Sequence, residues 1–132
     1  MGYHDADPAN QGGTNYRPGD GVDIGTGGAP GGNGYLVCYC YGGEWMKYTV
    51  NATSAKTYTI SFKMANGGTT TSTFHIENSS GTNLSGSISL PPTGGWGTYS
   101  TVTKSVTLPA GTQILKFCED SGGYNISHMV FN

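Results

Sequence analysis

The chain has 132 residues, is rich in glycine with 23, and is poor in charge, with 11% charged residues and a net charge of −2. This length fits one domain over 1–132 that can bury a core without help from metals or disulfides. No run of Lys or Arg supplies the charge that nucleic-acid phosphates need, and no apolar stretch approaches the roughly 20 residues that span a bilayer. We therefore expect no nucleic-acid partner and no membrane partner.

The predicted elements are all strands. Residues 1–34 contain many Gly, Asn, Asp and Pro, which predicts loop with one short strand over 21–24. No segment shows helical spacing over ten residues. Many short strands between Gly-rich turns predict an all-β fold, an antiparallel β-sandwich. Alternating apolar and polar residues place the other strands at 36–40, 45–50, 58–64, 71–77, 88–90, 102–108, 114–118 and 125–131.

The three cysteines are Cys38, Cys40 and Cys118, an odd number that leaves at least one free thiol. Cys38 and Cys40 are expected on one face of an extended strand, where they could not easily bridge each other. We expect small core residues, with a disulfide from either of them to Cys118 as the alternative. The Cys-x-Cys spacing is weak evidence for a metal, because no His or further Cys lies close in sequence.

The carboxylates do not form a recognisable catalytic pair. A glycosidase needs two of them about 5–9.5 Å apart across a cleft. Asp5, Asp7 and Asp20 lie in a turn-rich stretch, where Asp commonly caps turns, and Glu119 and Asp120 lead into another turn. No Gly-x-Ser-x-Gly motif predicts a serine nucleophile, and the three histidines are far apart in sequence. The residues therefore favour a protein without catalytic activity.

The N-terminal segment is rich in oxygen ligands. Asp5-x-Asp7 with a nearby Asn and Gly is compatible with calcium, which takes about six to eight oxygens. The full EF-hand pattern is lacking, and a turn-rich segment accounts for the same residues. Two interpretations of Asp5 and Asp7 are therefore kept, structural calcium binding and the simpler one of ordinary turns.

Trp96 gives the clearest indication of function. It follows a Pro-Pro-Thr-Gly-Gly turn at 91–95 and has no apolar neighbour, which predicts an exposed indole. Exposed indole faces suit the C–H faces of sugars. Tyr39 and Asn125 also lie at strand ends or turns, and an amide offers sugar hydroxyls both a donor and an acceptor. Together these three residues predict a carbohydrate-binding site at one end of the sandwich.

Eight segments carry a recognisable pattern, in order over nearly the whole chain: 36–50, 90–96, 106–112 and 122–126, with 3–5, 10–13, 16–17 and 22–24 near the N-terminus. Together these segments resemble the family six carbohydrate-binding modules. The N-terminal segments resemble a subset of that family attached to marine-type and β-glucan-degrading enzymes.

This resemblance implies a jelly-roll-like β-sandwich that binds polysaccharide and does no chemistry. The family's loop-end site, in which a Tyr and a Trp sandwich a sugar beside an Asn, matches Tyr39, Trp96 and Asn125. Some members have a second cleft on the concave face, and its Trp and Glu match Trp45 and Glu77. For Trp45 the alternative is an ordinary strand tryptophan.

The sequence departs from the family at its start. The family opens with a strand whose Glu-Ala-Glu motif supplies structural-calcium ligands, and this sequence begins after it. We therefore expect a sandwich that lacks the family's first strand. Ser127 also stands where an Asp is common near the last strand.

The resemblance implies a secreted, lectin-like module that binds a β-linked polysaccharide and targets an appended glycoside hydrolase to it. The N-terminal pattern favours β-1,3-glucan or agarose, with xylan and cellulose also open. Two alternatives remain, a small glycoside hydrolase and a structural or adhesion β-sandwich domain.

Overall fold

The computed structural model describes residues 2–17 and 19–132, and the regular elements in those ranges are all strands. Within them, no helix exists that could cross a membrane. The all-β prediction is confirmed. The strands are β1 (Tyr3–His4), β2 (Ile24–Thr26), β3 (Tyr35–Val37), β4 (Trp45–Ala52), β5 (Lys56–Ala65), β6 (Ser72–Asn78), β7 (Ile88–Leu90), β8 (Ser100–Leu108), β9 (Gly111–Glu119) and β10 (Asn125–Phe131).

These strands form two five-stranded sheets. The first has the order β1-β4-β9-β6-β7, and the second has the order β2-β3-β10-β5-β8. Every strand pairing is antiparallel. The inner faces of the two sheets pack on each other, so the predicted antiparallel β-sandwich is confirmed.

The core follows directly from the alternation in the sequence. On β5, Ile60, Phe62 and Met64 are fully buried between the sheets, whereas the residues between them face outward. Phe74 of β6 meets Phe62 edge-on with ring centres 5.0 Å apart and stacks on Phe117 of β9 at 4.8 Å. Aromatic pairs in these two arrangements stabilise a core beyond the area they bury.

The structure corrects the N-terminal third of the prediction. The strand expected over 21–24 is β2 at Ile24–Thr26, and β1 was missed. The strand expected over 36–40 ends at Val37, because Tyr39 has a φ of 52°, which extended chain does not allow. Cys38 and Cys40 therefore do not share one strand.

The cysteines are three buried free thiols, as the core interpretation predicted. Cys40 lies in the main apolar cluster with only 3% of its surface exposed. No disulfide joins Cys118 to Cys38 or Cys40 in this structure.

Two connections pack closely at one end of the sandwich. The segment after β3 meets the segment after β9 through backbone hydrogen bonds from Gly43 N to Glu119 O at 2.7 Å and from Gly123 N to Cys40 O at 3.0 Å. A Cβ on Gly122 would overlap the Cys40 carbonyl, so the approach requires glycine there. We call this contact the loop junction.

Two buried carboxylates lie beneath the loop junction. Glu44 is satisfied, because Oε1 accepts from Ala6 N at 3.0 Å and Oε2 accepts from Tyr41 N at 2.8 Å. Glu119 is 3% exposed, and its Oε2 has no hydrogen-bond partner among the described residues. Burial raises the pKa of Glu119 to about 8, and the nearby charges of Glu44 and Asp5 add to the effect.

The raised pKa of Glu119 predicts a protein that loses stability as the pH rises. Between the ordinary value of 4.5 and about 8, the folded state binds one more proton at this site than the unfolded state. The free energy of unfolding therefore falls with pH across that window, by at most about 1.4 kcal/mol per unit from this group. Glu119→Gln should flatten this dependence and stabilise the protein near pH 8, as measured by urea unfolding at a series of pH values. Parallel pH profiles for the wild type and the variant would contradict the prediction.

Candidate functional site

A cleft of about 800 Å³ opens at the end of the sandwich beside the loop junction. Tyr39, Trp96 and Asn125, the three residues predicted from sequence, all line it. Tyr39 and Trp96 come from two separate connections and Asn125 from the start of β10, and the fold brings them together. The rest of the lining consists of Gly12, Gly25, Thr26, Leu36, Cys38, Cys40, Tyr41, Gly122, Gly123 and Tyr124.

Tyr39 extends from the first connection of the loop junction. It is 52% exposed, an unusual state for so large an apolar ring. Its positive φ of 52° lies in the left-handed region, which costs free energy in a residue other than Gly and is common at ligand sites. Tyr41, two residues on, is 51% exposed and lines the same cleft. Tyr41 was not predicted as a site residue, although the Tyr-x-Tyr spacing from Tyr39 is visible in the sequence.

Trp96 presents one side to the cleft and packs its other side on backbone. Its indole is 52% exposed. A Cβ on Gly67 would overlap the ring at Cγ and Cδ2, so the indole lies directly against that glycine. A flat backbone surface behind an exposed ring fixes the ring's plane without covering its outer face.

Asn66 holds the loop that carries Trp96. It is 1% exposed, and its Nδ2 donates to Leu90 O at 3.1 Å, just before that loop. Its backbone N donates to Thr93 Oγ1 at 2.9 Å, and its backbone O accepts from Thr93 N at 2.8 Å. A satisfied buried amide of this kind rigidifies its surroundings. Sequence reasoning missed Asn66, because its partners become apparent only once the chain is folded.

Asn125 connects Trp96 to the sandwich. Its Nδ2 donates to the Trp96 carbonyl at 2.8 Å, which joins the start of β10 to the tryptophan loop. Because Asn125 also lines the cleft, one amide both positions the indole and presents polar atoms to the cavity.

The cleft is aromatic and uncharged. None of the described residues that line it is Asp, Glu, Lys, Arg or His. Exposed rings with a few amide and backbone groups suit a flat, neutral, hydroxyl-rich ligand. The lining offers no pair of carboxylates for glycosidic bond cleavage.

Trp45 and Glu77 lie elsewhere, on the outer face of the first sheet. They occupy β4 and β6, with β9 between them. The Lys47 and Lys116 ammonium groups approach within 5.0 and 5.5 Å of the Trp45 ring centre, and His4 lies 6.2 Å from it. Trp45 is therefore surrounded by polar side chains, unlike Trp96.

Glu77 belongs to an ionic network on that face. Its Oε1 lies 3.0 Å from His75 Nε2, its Oε2 lies 2.7 Å from Lys116 Nζ, and Asp120 lies 2.8 Å from His75 Nδ1. The hydrogen bonds from His75 and Lys116 lower the pKa of Glu77 to about 2. Burial alone would lower the pKa of His75, but its bonds to Glu77 and Asp120 outweigh that effect and raise it.

Asp5 and Asp7 form consecutive turns before β2. Asp5 Oδ1 accepts from Asp7 N at 2.9 Å, and Asp7 Oδ1 accepts from Ala9 N at 3.0 Å. Asp23 lies near enough for both carboxylates to raise its pKa, although its own burial contributes most, and its Oδ2 has no partner among the described residues. The turn interpretation of Asp5 and Asp7 is confirmed, and it uses one oxygen of each side chain.

The sequence and the fold both match known proteins. Residues 13–132 match the family model described as carbohydrate binding module (family 6). The chain is similar to the binding module from Cellvibrio mixtus lichenase 5A in complex with cellotriose, with 30% identity, a TM-score of 0.70, and coverage of 80% of this chain and 82% of that chain. It is also similar to the C-terminal family 6 module of a marine laminarinase from Zobellia galactanivorans, with 32% identity, a TM-score of 0.70, and coverage of 75% and 80%.

Curated relatives match over a shorter stretch. Endo-1,4-β-xylanase B and α-L-arabinofuranosidase C of Cellvibrio japonicus are each 34% identical over 74 residues. That stretch is 56% of this chain and 12% of each relative, so the chain corresponds to a small part of those proteins.

The β-sandwich with its aromatic cleft and the extent of these matches define a carbohydrate-binding module. The chain belongs to family 6 of these modules, as the sequence resemblance predicted. The family consists of non-catalytic modules that bind carbohydrate.

A substitution at Gly67 tests whether the packing behind Trp96 sets the position of its ring, because it leaves the indole itself unchanged. Gly67→Ala places a methyl group where the indole now lies and should turn the ring out of the cleft. We expect the affinity for a bound glycan to fall by about tenfold, which is ~1.4 kcal/mol, in isothermal titration calorimetry. Gly97→Ala is the matched control, because a Cβ there meets nothing within 4 Å. Equal affinities for the two variants would show that the packing on Gly67 does not set the site.

Proposed function

We propose that this chain binds a β-linked polysaccharide in the cleft beside the loop junction and does no chemistry on it. Tyr39 and Trp96 stack on a sugar ring, and Asn125 hydrogen-bonds its hydroxyls. The observation that carries this proposal is the cleft itself, in which two half-exposed aromatic rings and an amide converge and none of the described lining residues is charged. Tyr41 extends the aromatic surface and adds a hydroxyl.

The absence of carboxylates from the described cleft lining favours binding over hydrolysis. The same lining argues against a purely structural domain, because exposed aromatic rings gathered in a concave site are typical of a ligand-binding groove. Trp45 is less suited to stacking, since two ammonium groups lie within 5.0 and 5.5 Å of its ring centre. We therefore place the main site at the cleft and keep Trp45 and Glu77 as a secondary candidate.

The ligand class that we propose is β-1,3-glucan or agarose, with xylan and cellulose as further candidates. The similarity to a laminarinase module at 32% identity and to a module solved with cellotriose at 30% supports a β-glucan among these. Because the curated relatives are glycan-degrading enzymes, we propose that the module targets an appended glycoside hydrolase to this polysaccharide outside the cell.

Removing the Trp96 ring tests the proposed site. Trp96→Ala should weaken binding by about 30-fold or more, equivalent to at least ~2 kcal/mol, because a central aromatic anchor dominates such interfaces. The half-exposed side chain contributes little to the core, so the melting temperature should hardly change. Affinity electrophoresis on laminarin, agarose, xylan and soluble cellulose measures the effect and identifies the ligand. Binding that survives Trp96→Ala but is lost in Trp45→Ala would place the site on the first sheet instead.

Structural calcium at Asp5 and Asp7 is a further part of the proposal. Each carboxylate keeps one oxygen outside its turn bond, and the partnerless Asp23 Oδ2 lies in the same acidic region. Carboxylate and backbone oxygens are the ligands that calcium prefers, and such a cation would relieve the repulsion among these groups. The three carboxylates are not among the described groups whose ligand atoms converge within 4.8 Å, so further oxygens would have to complete the shell.

Calcium should therefore stabilise the protein rather than complete the glycan site. At 100 times its dissociation constant, calcium should raise the free energy of unfolding by about 2.7 kcal/mol, and a chelator should reverse the gain. Asp5→Asn with Asp7→Asn should remove the effect, whereas Asp20→Asn serves as a nearby acidic control. Thermal melts with and without calcium measure it. A melting temperature that does not respond to calcium would contradict this part of the proposal.

A further inference from the structure

A cluster of metal-binding side chains lies on the outer face of the first sheet, away from the cleft. The thiol of Cys118, a ring nitrogen of His75 and a carboxylate oxygen of Glu77 lie within 4.8 Å of one another. Among the described residues, no other group of three or more His, Cys, Asp or Glu converges in this way.

The sheet register creates this convergence. His75 on β6 lies directly opposite Cys118 on β9, and Glu77 lies two residues further along the same face of β6. Directly opposed side chains have Cβ atoms about 4.5–5.5 Å apart. The three ligands therefore come from two rigid, adjacent strands and need only small side-chain movements to meet one ion.

His75 is oriented as metal-bound histidines usually are. Its Nδ1 lies 2.8 Å from Asp120, which turns Nε2 toward Glu77 Oε1 at 3.0 Å. A carboxylate behind a histidine fixes the ring and makes the other nitrogen a better ligand. Side-chain exposures of 16% for His75 and 17% for Glu77 leave the cluster accessible to an ion from solvent.

We propose that Cys118 Sγ, His75 Nε2 and Glu77 Oε1 bind a divalent transition metal of the zinc type, with a fourth position open to water. Thiolate, imidazole and carboxylate in a three-ligand set suit zinc or cobalt, whereas calcium and magnesium prefer oxygen alone. On binding, the Cys118 thiol and the Nε2–H group of His75 that faces Glu77 each release a proton to solvent, and the metal replaces the hydrogen bond between His75 and Glu77.

Lys116 competes with the metal. Its Nζ lies 2.7 Å from Glu77 Oε2, so an ammonium charge stands next to the proposed ion. Lys116→Met should therefore tighten metal binding by about tenfold through the loss of this repulsion. Lys47→Met is the matched control. Lys47 also lies near Trp45, and it is the cross-strand neighbour of Lys116, but the ion pair with Glu77 is formed by Lys116.

Cobalt titration of the reduced chain, free of affinity tags, tests the proposal. We expect a thiolate-to-cobalt charge-transfer band and tetrahedral ligand-field bands, both saturating at one ion per chain. Added zinc should remove these bands, and added calcium should leave them unchanged. Cys118→Ala and His75→Ala should abolish the bands, and Asp120→Asn should weaken binding by about 10- to 100-fold. His128→Asn should leave it unchanged.

The titration can overturn the metal-site proposal even if one variant fails to fold. Absence of the charge-transfer band in the wild type, or its survival in Cys118→Ala, overturns the proposal. If Cys118→Ala is unfolded, the other two ligands decide, because His75→Asn and Glu77→Gln must each weaken cobalt binding. Unchanged affinity in both variants shows that the metal binds elsewhere.

Discussion

The close approach of two connections at the loop junction is the constraint on which the site depends. Gly122 lies so close to the Cys40 carbonyl that a Cβ would overlap it, and backbone bonds hold Gly43 and Gly123 to the opposite segment. This contact sets Tyr39 and Asn125 on the same side of the sandwich, although they lie far apart in sequence. Asn125 then extends the constraint to Trp96 through the bond to its carbonyl.

The chain gives up some stability to make this contact. Glu119 is buried beneath the loop junction with one oxygen lacking a partner, and Tyr39 occupies a left-handed backbone conformation. Unsatisfied buried groups and unfavourable backbone angles each cost free energy, and such features cluster near functional sites. The aromatic core of Phe62, Phe74 and Phe117 supplies a rigid sandwich that tolerates these costs.

The regular part of the fold was largely predictable from sequence. Strand β5, which contains the predicted span 58–64, carries an apolar and polar alternation that follows from the two-residue period of a strand. β1 has only two residues and forms through its pairing with β4, so local pattern cannot identify it. The strand predicted over 36–40 ended early because Tyr39 leaves the extended region, which the apolar pattern of that segment does not reveal.

Some residues of the candidate site were also predictable from sequence, and others were not. Trp96 was recognisable because Gly and Pro isolate an aromatic residue from any core pattern. Asn66 and Gly67 were not recognisable, since their roles depend on Thr93 and Trp96 approaching from a distant segment. The cluster of His75, Glu77 and Cys118 was missed for a similar reason, because only the pairing of β6 with β9 brings the cysteine to the histidine.

The central claim is that glycan binds between the two exposed aromatic rings of the cleft. The most direct test is an NMR titration of the ¹⁵N-labelled chain with a soluble β-1,3-glucan oligosaccharide, or with an agarose oligosaccharide if the first does not bind. The account predicts large shifts for the Trp96 indole N–H, the Asn125 side-chain amide and the backbone around Tyr39, with the Trp45 indole unmoved. Shifts centred on Trp45 with an unperturbed Trp96 would contradict it.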